Sequence, residues 1–317
     1  MAEDTKCLLI GHRGCGYPDY NQNTIRAFKK VIDEGISAIE FDVQLTADKR
    51  PIVVHNLDLS EVSTGSGPVF RTNWDAISQL YAGDPGRGKD RIPELLEVLE
   101  LVAALPADKR TVMHLELKGR GSGTPCGEIL RQWLDNGKLK EKDFLISSFN
   151  WQELRDLKEY CPELQIAVLS GAILRDKLLE KLPCGPGKFY RIFAYPEEDY
   201  ILPKESSYEE NKKLIDKAYS DTREKEVLYE IVHRALSGDF YDEKLLDAAE
   251  EMGAVAVNLW HRSLTEEFMS KVQQRGFLVN IFTINDMNLV QKWARAGVDG
   301  IFTDYYRDAR NALARMV

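Results

Sequence analysis

The 317-residue chain is 44% hydrophobic and 29% charged, enough apolar matter for a large core and none of the bias of a disordered or collagen-like sequence. Lys and Arg total 42 against 51 for Asp and Glu, a net charge of -9 that argues against a nucleic-acid or membrane-surface binder, so an anionic substrate must be attracted locally. The five cysteines (Cys7, Cys15, Cys126, Cys161, Cys184) are scattered and form no Cys-x-x-Cys pair, which indicates neither a disulfide framework nor a zinc knuckle and suits a reducing compartment.

Short β-branched runs alternate with helical patterns along the chain. Strands are predicted at about 7–11, 38–44, 112–117, 144–148, 165–169, 254–258, 278–282 and 299–303, each followed by a helical stretch. The first of these runs, Cys7 to Ile10, is too short for a secretory h-region, and no 18-residue apolar stretch follows it anywhere. The expectation is a cytoplasmic protein without integral membrane association. Eight β-then-α units predict an α/β fold, a closed (β/α)₈ TIM barrel, which takes roughly 250 residues. The remaining length reads as insertions into one domain, 1–317. One runs from about 51 to 92, with an extra strand at Pro51–Val54; the other is a polar helical excursion at about 183–245.

In such barrels the chemistry sits where strands end and βα loops begin. His12 and Arg13 follow the first strand. Glu40 and Asp42 lie two apart on the second, so both side chains face one way, into the barrel. His114, Glu116 and Lys118 repeat that phase on the third. Burying so many charges without partners would cost several kcal/mol per ion. A divalent metal held by Glu40, Asp42 and Glu116 is the simplest relief, and an all-oxygen set suits Mg²⁺ or Ca²⁺, with Mn²⁺ also admissible, better than zinc. A salt-bridge network with Arg13 and Lys118 is the structural alternative.

Together, His12-Arg13-Gly14, Asn23-Thr24, Glu40-Phe41-Asp42-Val43-Gln44-Leu45-Thr46-x-Asp48, Val54-His55-Asn56, Glu116-Leu117-Lys118 and Gly297-Val298-Asp299-Gly300-Ile301-Phe302-Thr303-Asp304 resemble the glycerophosphodiester phosphodiesterase family. The likeness runs from about residue 9 to 305. It implies a TIM barrel with an insertion after the second strand and metal-assisted cleavage of a small-molecule glycerophosphodiester to glycerol phosphate and an alcohol. It also implies His12 and His55 as the acid/base pair. Arg13 and Lys118 are then expected to bind the phosphate. Three positions depart from the family pattern: Gln22 replaces Glu, Asn56 replaces the Asp after the second histidine, and Phe282 replaces a frequent Trp. Asn56 removes a charge beside His55, which should lower that imidazole's pKa.

Weaker signals complete the reading. Trp260 and Phe282 are candidates for an apolar wall of the pocket, or for ordinary barrel packing. His114 reads as a satisfied core histidine, His261 as a candidate pocket residue and His233 as exposed. Gly119-x-Gly121-x-Gly123 matches no phosphate-loop spacing and reads as a flexible βα loop. Tyr190, Phe193, Tyr195 and Tyr200 read as part of a packed insertion, with an apolar lip as the alternative. Two rival functions stay open, a lysophospholipase D acting on acyl-bearing diesters and a metal-binding protein without turnover; the oligomeric state is not specified by the sequence.

Overall fold

Residues 7–15, 19–169, 243–261 and 264–316 are described by a computed structural model. Its strands are β1 (Leu8–Gly11), β2 (Ala38–Leu45), β3 (Pro51–Val53), β4 (Val112–Leu117), β5 (Phe144–Ser148), β6 (Ile166–Leu169), β7 (Ala256–Trp260), β8 (Leu278–Phe282) and β9 (Gly300–Thr303). All but β3 pair in parallel, in the order β1-β9-β8-β7-β6-β5-β4-β2, and a further β1–β2 pairing closes the ring. The predicted eight-stranded barrel is therefore present. The matching helices are α1 (Ile25–Asp33), α2 (Trp74–Ile77), α3 (Leu95–Ala103), α4 (Gly123–Asp135), α5 (Trp151–Tyr160), α6 (Glu243–Glu251), α7 (Glu266–Gln274), α8 (Met287–Ala296) and α9 (Tyr306–Ala314).

Period-two alternation sorts the strand residues. Ile39, Phe41, Val43, Leu115, Ile146, Val168, Val257 and Ile301 point outward into one apolar layer shared with the helices. Burying side chains of this size contributes about 1.5–3 kcal/mol each. Inside the ring, Ile10, Ala38 and Phe302 pack with Val112 and Phe282, while Leu145, Ala167 and Ala256 form a second apolar patch. Two residues further along β2 and β4, the inward positions become polar, with Glu40 beside His114 and Asp42 beside Glu116.

One boundary differs from its expected place. The strand expected at 254–258 is observed at Ala256–Trp260. Gly253 (φ 64°) and Ala254 are instead consumed in ending α6, with the Gly253 N–H donating to Glu250 and the Ala254 N–H to Ala249. That helix stop leaves Trp260 as the last strand residue rather than a residue of the following loop.

The extra strand β3 pairs antiparallel with the far end of β2, Val43 opposite Val53 and Leu45 opposite Pro51. The segment that follows has its own small core of Ile52, Val54, Leu59, Val69, Ile77, Ala82 and Ile92, so the insertion is a packed lobe at the C-terminal end of β2. The excursion expected at 183–245, with its aromatic cluster and His233, lies outside the described residues, except where Glu243 opens α6. Among the described residues no helix is long and apolar enough to cross a membrane.

Candidate active site

The loop after β1 carries unusual backbone. Arg13 (φ 50°), Cys15 (φ 51°) and Asn23 (φ 55°) are all left-handed, a conformation uncommon for residues with side chains and frequent at functional turns. Its consequence is local: the Arg13 N–H points at Glu40 Oε2, 2.8 Å away. Gly14 (φ 80°) completes the turn, where a Cβ would meet the Phe28 ring at 2.8 Å. The Asn23 N–H returns to the Arg13 carbonyl at 2.9 Å, and Thr24 caps α1 by accepting from the Ala27 N–H.

Glu40, Asp42 and Glu116 each offer a carboxylate oxygen, and these lie within 4.8 Å of one another. Glu40 and Asp42 are only 4% and 1% exposed, so water cannot neutralise them. Lys118 Nζ stands 3.4 Å from Asp42 Oδ1 and 3.3 Å from Glu116 Oε1. Arg13 Nε is 3.4 Å from Asp42 Oδ2, which also accepts from Asn23 Nδ2 at 2.9 Å. The salt-bridge network weighed from the sequence is thus real, yet two cations face three carboxylates.

The imbalance shows in the titration of the group. Burial, then repulsion by Asp42 and Glu116, pushes the Glu40 carboxyl well above its ordinary range. Burial likewise raises Glu116, against the pull of Lys118. Burial opposes ionisation of Asp42 too, but the neighbouring His55, Lys118 and Arg13 charges and the Asn23 amide hold it far down. Burial works against the Lys118 ammonium, and Glu116 and Asp42 more than offset it. A hard divalent cation fits this donor set: the oxygens are close-spaced, buried, short of positive charge and free of thiolate or imidazole competitors. The buried Asn23 Oδ1 beside them has no hydrogen-bond partner.

His12 Nδ1 is 2.7 Å from Asp304 Oδ1. That carboxylate is itself gripped by Gln22 Nε2 at 3.0 Å and Asn285 Nδ2 at 2.6 Å. Although burial opposes it, the His12 hydrogen bond holds Asp304 at about 2. Burial and Arg13 lower the His12 imidazole, with Asp304 pulling it back up. His55 follows β3, where the Val54 N–H donates to the Asp42 carbonyl at 3.0 Å. The Gln44 amide reaches the carbonyls of Val54, His55 and Asn56 at 3.0, 2.8 and 2.9 Å, tying this turn to β2. Burial, Arg13 and Lys118 push the His55 imidazole well below its ordinary value. Arg13, Asn23 and His55 open onto a cleft of about 380 Å³, whose far side in the insertion lobe includes Glu61, Asp84 and Arg87.

The weaker candidates sort differently. Phe282 is half-buried and makes T-shaped contacts with Phe149 and Phe302 at 5.9 and 6.4 Å between centroids. Trp260 is its register neighbour and is half-buried. His114 is buried and makes a T-shaped contact with Phe302, and its Nδ1 has no hydrogen-bond partner; it is a core histidine with that ring nitrogen unsatisfied. The Gly119–Gly123 loop is neither phosphate loop nor slack. The N–H groups of Gly121 and Gly123 each donate at 2.8 Å to the buried Glu153 carboxylate, and a Cβ at Gly123 would meet the Glu153 carbonyl at 2.3 Å. An internal carboxylate fills the anion nest.

Several residues around the site have no role in the sequence reading: Gln44, Glu61, Glu153, Asn285 and, as the partner of His12, Asp304. Asp304 alone had a usable signal, since it continues the inward phase of Phe302 past the end of a predicted strand.

Comparison with known proteins places this geometry. The sequence model of the "Glycerophosphoryl diester phosphodiesterase family" matches residues 12–184 and 211–307. A glycerophosphodiester phosphodiesterase of Caldanaerobacter subterraneus is 34% identical over 174 residues, which are 52% of this chain and 67% of that one. YhdW of Bacillus subtilis is 24% identical over 305 residues, 94% of each chain. An Oleispira antarctica phosphodiesterase, solved in complex with the product sn-glycerol-3-phosphate, shares the fold with a TM-score of 0.66 at 20% identity, covering 97% of this chain and 96% of that one. With a family match over most of its length, the chain belongs to the glycerophosphoryl diester phosphodiesterase family.

Proposed function

We propose that this chain hydrolyses glycerophosphodiesters to glycerol 3-phosphate and an alcohol, using one divalent cation and the His12/His55 pair. The observation that carries the reading is the cluster of three carboxylates within 4.8 Å, two buried and Glu116 partly so, flanked by Arg13 and Lys118 at the mouth of the barrel with both histidines. A bound Mg²⁺ or Ca²⁺, held by Glu40, Asp42 and Glu116, would neutralise charge developing on the phosphoryl oxygens.

The chain's own groups do the rest. Arg13 and Lys118 hold the phosphate and oppose the charge that builds on its equatorial oxygens. The neighbouring 2-hydroxyl of the glycerol attacks phosphorus within the same molecule, with an effective molarity on the order of 10⁵ M or more. His55, its imidazole pKa lowered by burial and by Arg13 and Lys118, is suited to accept that hydroxyl proton. His12, backed by the Asp304 carboxylate, is suited to give a proton to the departing alkoxide. The P–O bond to the alcohol breaks as the ring P–O bond forms. Water then opens the cyclic phosphate with the two histidines in exchanged roles. Each proton transfer contributes about 10²–10⁴ in rate.

The cleft presents polar groups, among them Asn21, Gln22 and Glu61, beside apolar ones, Val53, Val54, Val62, Ala82 and Ile92, so substrate tests decide between a small alcohol and an acylated one. Incubation with glycerophosphocholine in Mg²⁺ or Ca²⁺ should release glycerol 3-phosphate, and chelation should abolish the release. Matched diesters with and without an acyl chain separate this activity from a lysophospholipase D. Binding of the ion with no turnover of any diester would mark a non-catalytic relative and overturn the proposal.

A further inference from the structure

The two histidines are supported unequally. Asp304 meets His12 directly, whereas the Nδ1 of His55 meets the Oδ1 of Asn56, a neutral amide. That amide does not end the chain of bonds, since its Nδ2 donates to Glu61 Oε2. Glu61 is the last residue of a 3-10 turn, Leu59–Glu61, whose start is capped by Asp58 accepting from the Ser60 N–H at 2.9 Å. Leu59, 1% exposed, anchors the turn in the core of the insertion lobe. The carboxylate is thus delivered by the lobe and not by the barrel.

The chemistry of the three groups fixes the protons. A carboxylate only accepts, so the Asn56 NH₂ must face Glu61 and the Asn56 oxygen must face the ring. An oxygen facing Nδ1 requires hydrogen on Nδ1 and leaves the lone pair on Nε2. An Asn amide is nearly symmetric in shape, so nothing in its own packing distinguishes this orientation from one rotated by 180°. In the rotated state the NH₂ would donate to Nδ1, the hydrogen would move to Nε2, and the ring could take no proton from substrate there.

We infer that Glu61, acting through Asn56, is a positioning residue that sets the tautomer of His55. The inference rests on the proposed role of His55 for its catalytic consequence, and not for the tautomer itself. The amide relay also accounts for how Asn56 can stand where the resembled family has Asp: the acceptor-only group lies one hydrogen bond further from the ring, at Glu61 instead of position 56.

Long-range ¹H–¹⁵N NMR of the ¹⁵N-histidine-labelled protein reads the tautomer without reference to turnover. In the wild type, His55 should show a protonated Nδ1 and an unprotonated Nε2. Glu61→Ala should shift the ring toward the Nε2–H form and lower kcat about tenfold with KM nearly unchanged, a size typical of removing an orienting partner. Adding Asn56→Asp to Glu61→Ala restores an acceptor-only neighbour, and should return the Nδ1–H signals and most of kcat. Glu61 is exposed, and an unchanged melting temperature will verify folding of each variant. His55 signals identical in the wild type and Glu61→Ala, or no return of the Nδ1–H form in the double variant, would overturn the inference. Absence of turnover by the wild type would instead count against the phosphodiesterase reading, leaving the NMR comparison decisive for the relay.

Discussion

His12 Nδ1 lies 2.7 Å from Asp304 Oδ1, a bond between residues 292 positions apart that ties the end of β1 to the end of β9. It joins the first and last strands where the ring closes, and it makes Asp304 the orienting group of the proposed acid. Replacing Asp304 by Asn keeps the shape and removes the charge. We expect kcat to fall about 10²-fold with KM changed little, as for loss of support to a proton donor. Steady-state kinetics on glycerophosphocholine check this, and an unaltered kcat would separate the pair from catalysis.

Glu116 is the carboxylate contributed by β4 to a cluster otherwise built on β2. Glu116→Ala should weaken Mg²⁺ or Ca²⁺ binding at least tenfold in calorimetry. A ligand at 100 times its Kd stabilises the folded state by about 2.7 kcal/mol, so the metal should raise the melting temperature of the wild type and much less that of the variant. Equal metal affinity in the two proteins would remove Glu116 from the site.

His114 gives a pH dependence with a definite sign. Burial lowers its folded-state pKa from 6.5 to about 4. The folded protein therefore binds fewer protons than the unfolded chain between those values, so the stability His114 contributes is present above pH 6.5 and is lost as pH falls toward 4. Between pH 8 and pH 5 the loss is about 2 kcal/mol, at about 1.36 kcal/mol per pKa unit. Urea unfolding should show the wild type losing that much more stability than His114→Gln over this range; parallel curves would contradict it.

Glu153 is 2% exposed and accepts from two backbone N–H groups. Glu153→Ala strands both donors and should cost about 2–3 kcal/mol, measurable by denaturant unfolding. A smaller loss than about 0.5 kcal/mol would mean that the Gly121 and Gly123 N–H groups find other partners.

The barrel was legible because its strands are largely buried on both faces and stand out as short apolar-rich runs, as at 112–117 and 144–148, which match β4 and β5 residue for residue. The carboxylates on β2 and β4 were legible for a related reason, since a period of two assigns a face. Partners joined through space were not. Asn285 and Gln22 meet at Asp304 from opposite ends of the chain, and neither has a local pattern that announces it. Glu153 was hidden because an anion nest looks the same in sequence whether substrate or protein fills it. Glu61 sits in a lobe whose polar turns have no strand or helix period to assign a direction.

The central claim is that His12 and His55 move the protons while the carboxylate cluster holds the ion. Its most direct test is the rate of glycerol 3-phosphate release from glycerophosphocholine by a His12→Ala/His55→Ala variant at saturating metal, with metal affinity measured alongside. The account predicts a loss of about 10⁴-fold or more, with metal binding retained. Turnover within tenfold of the wild type in a variant that still binds the ion would contradict it.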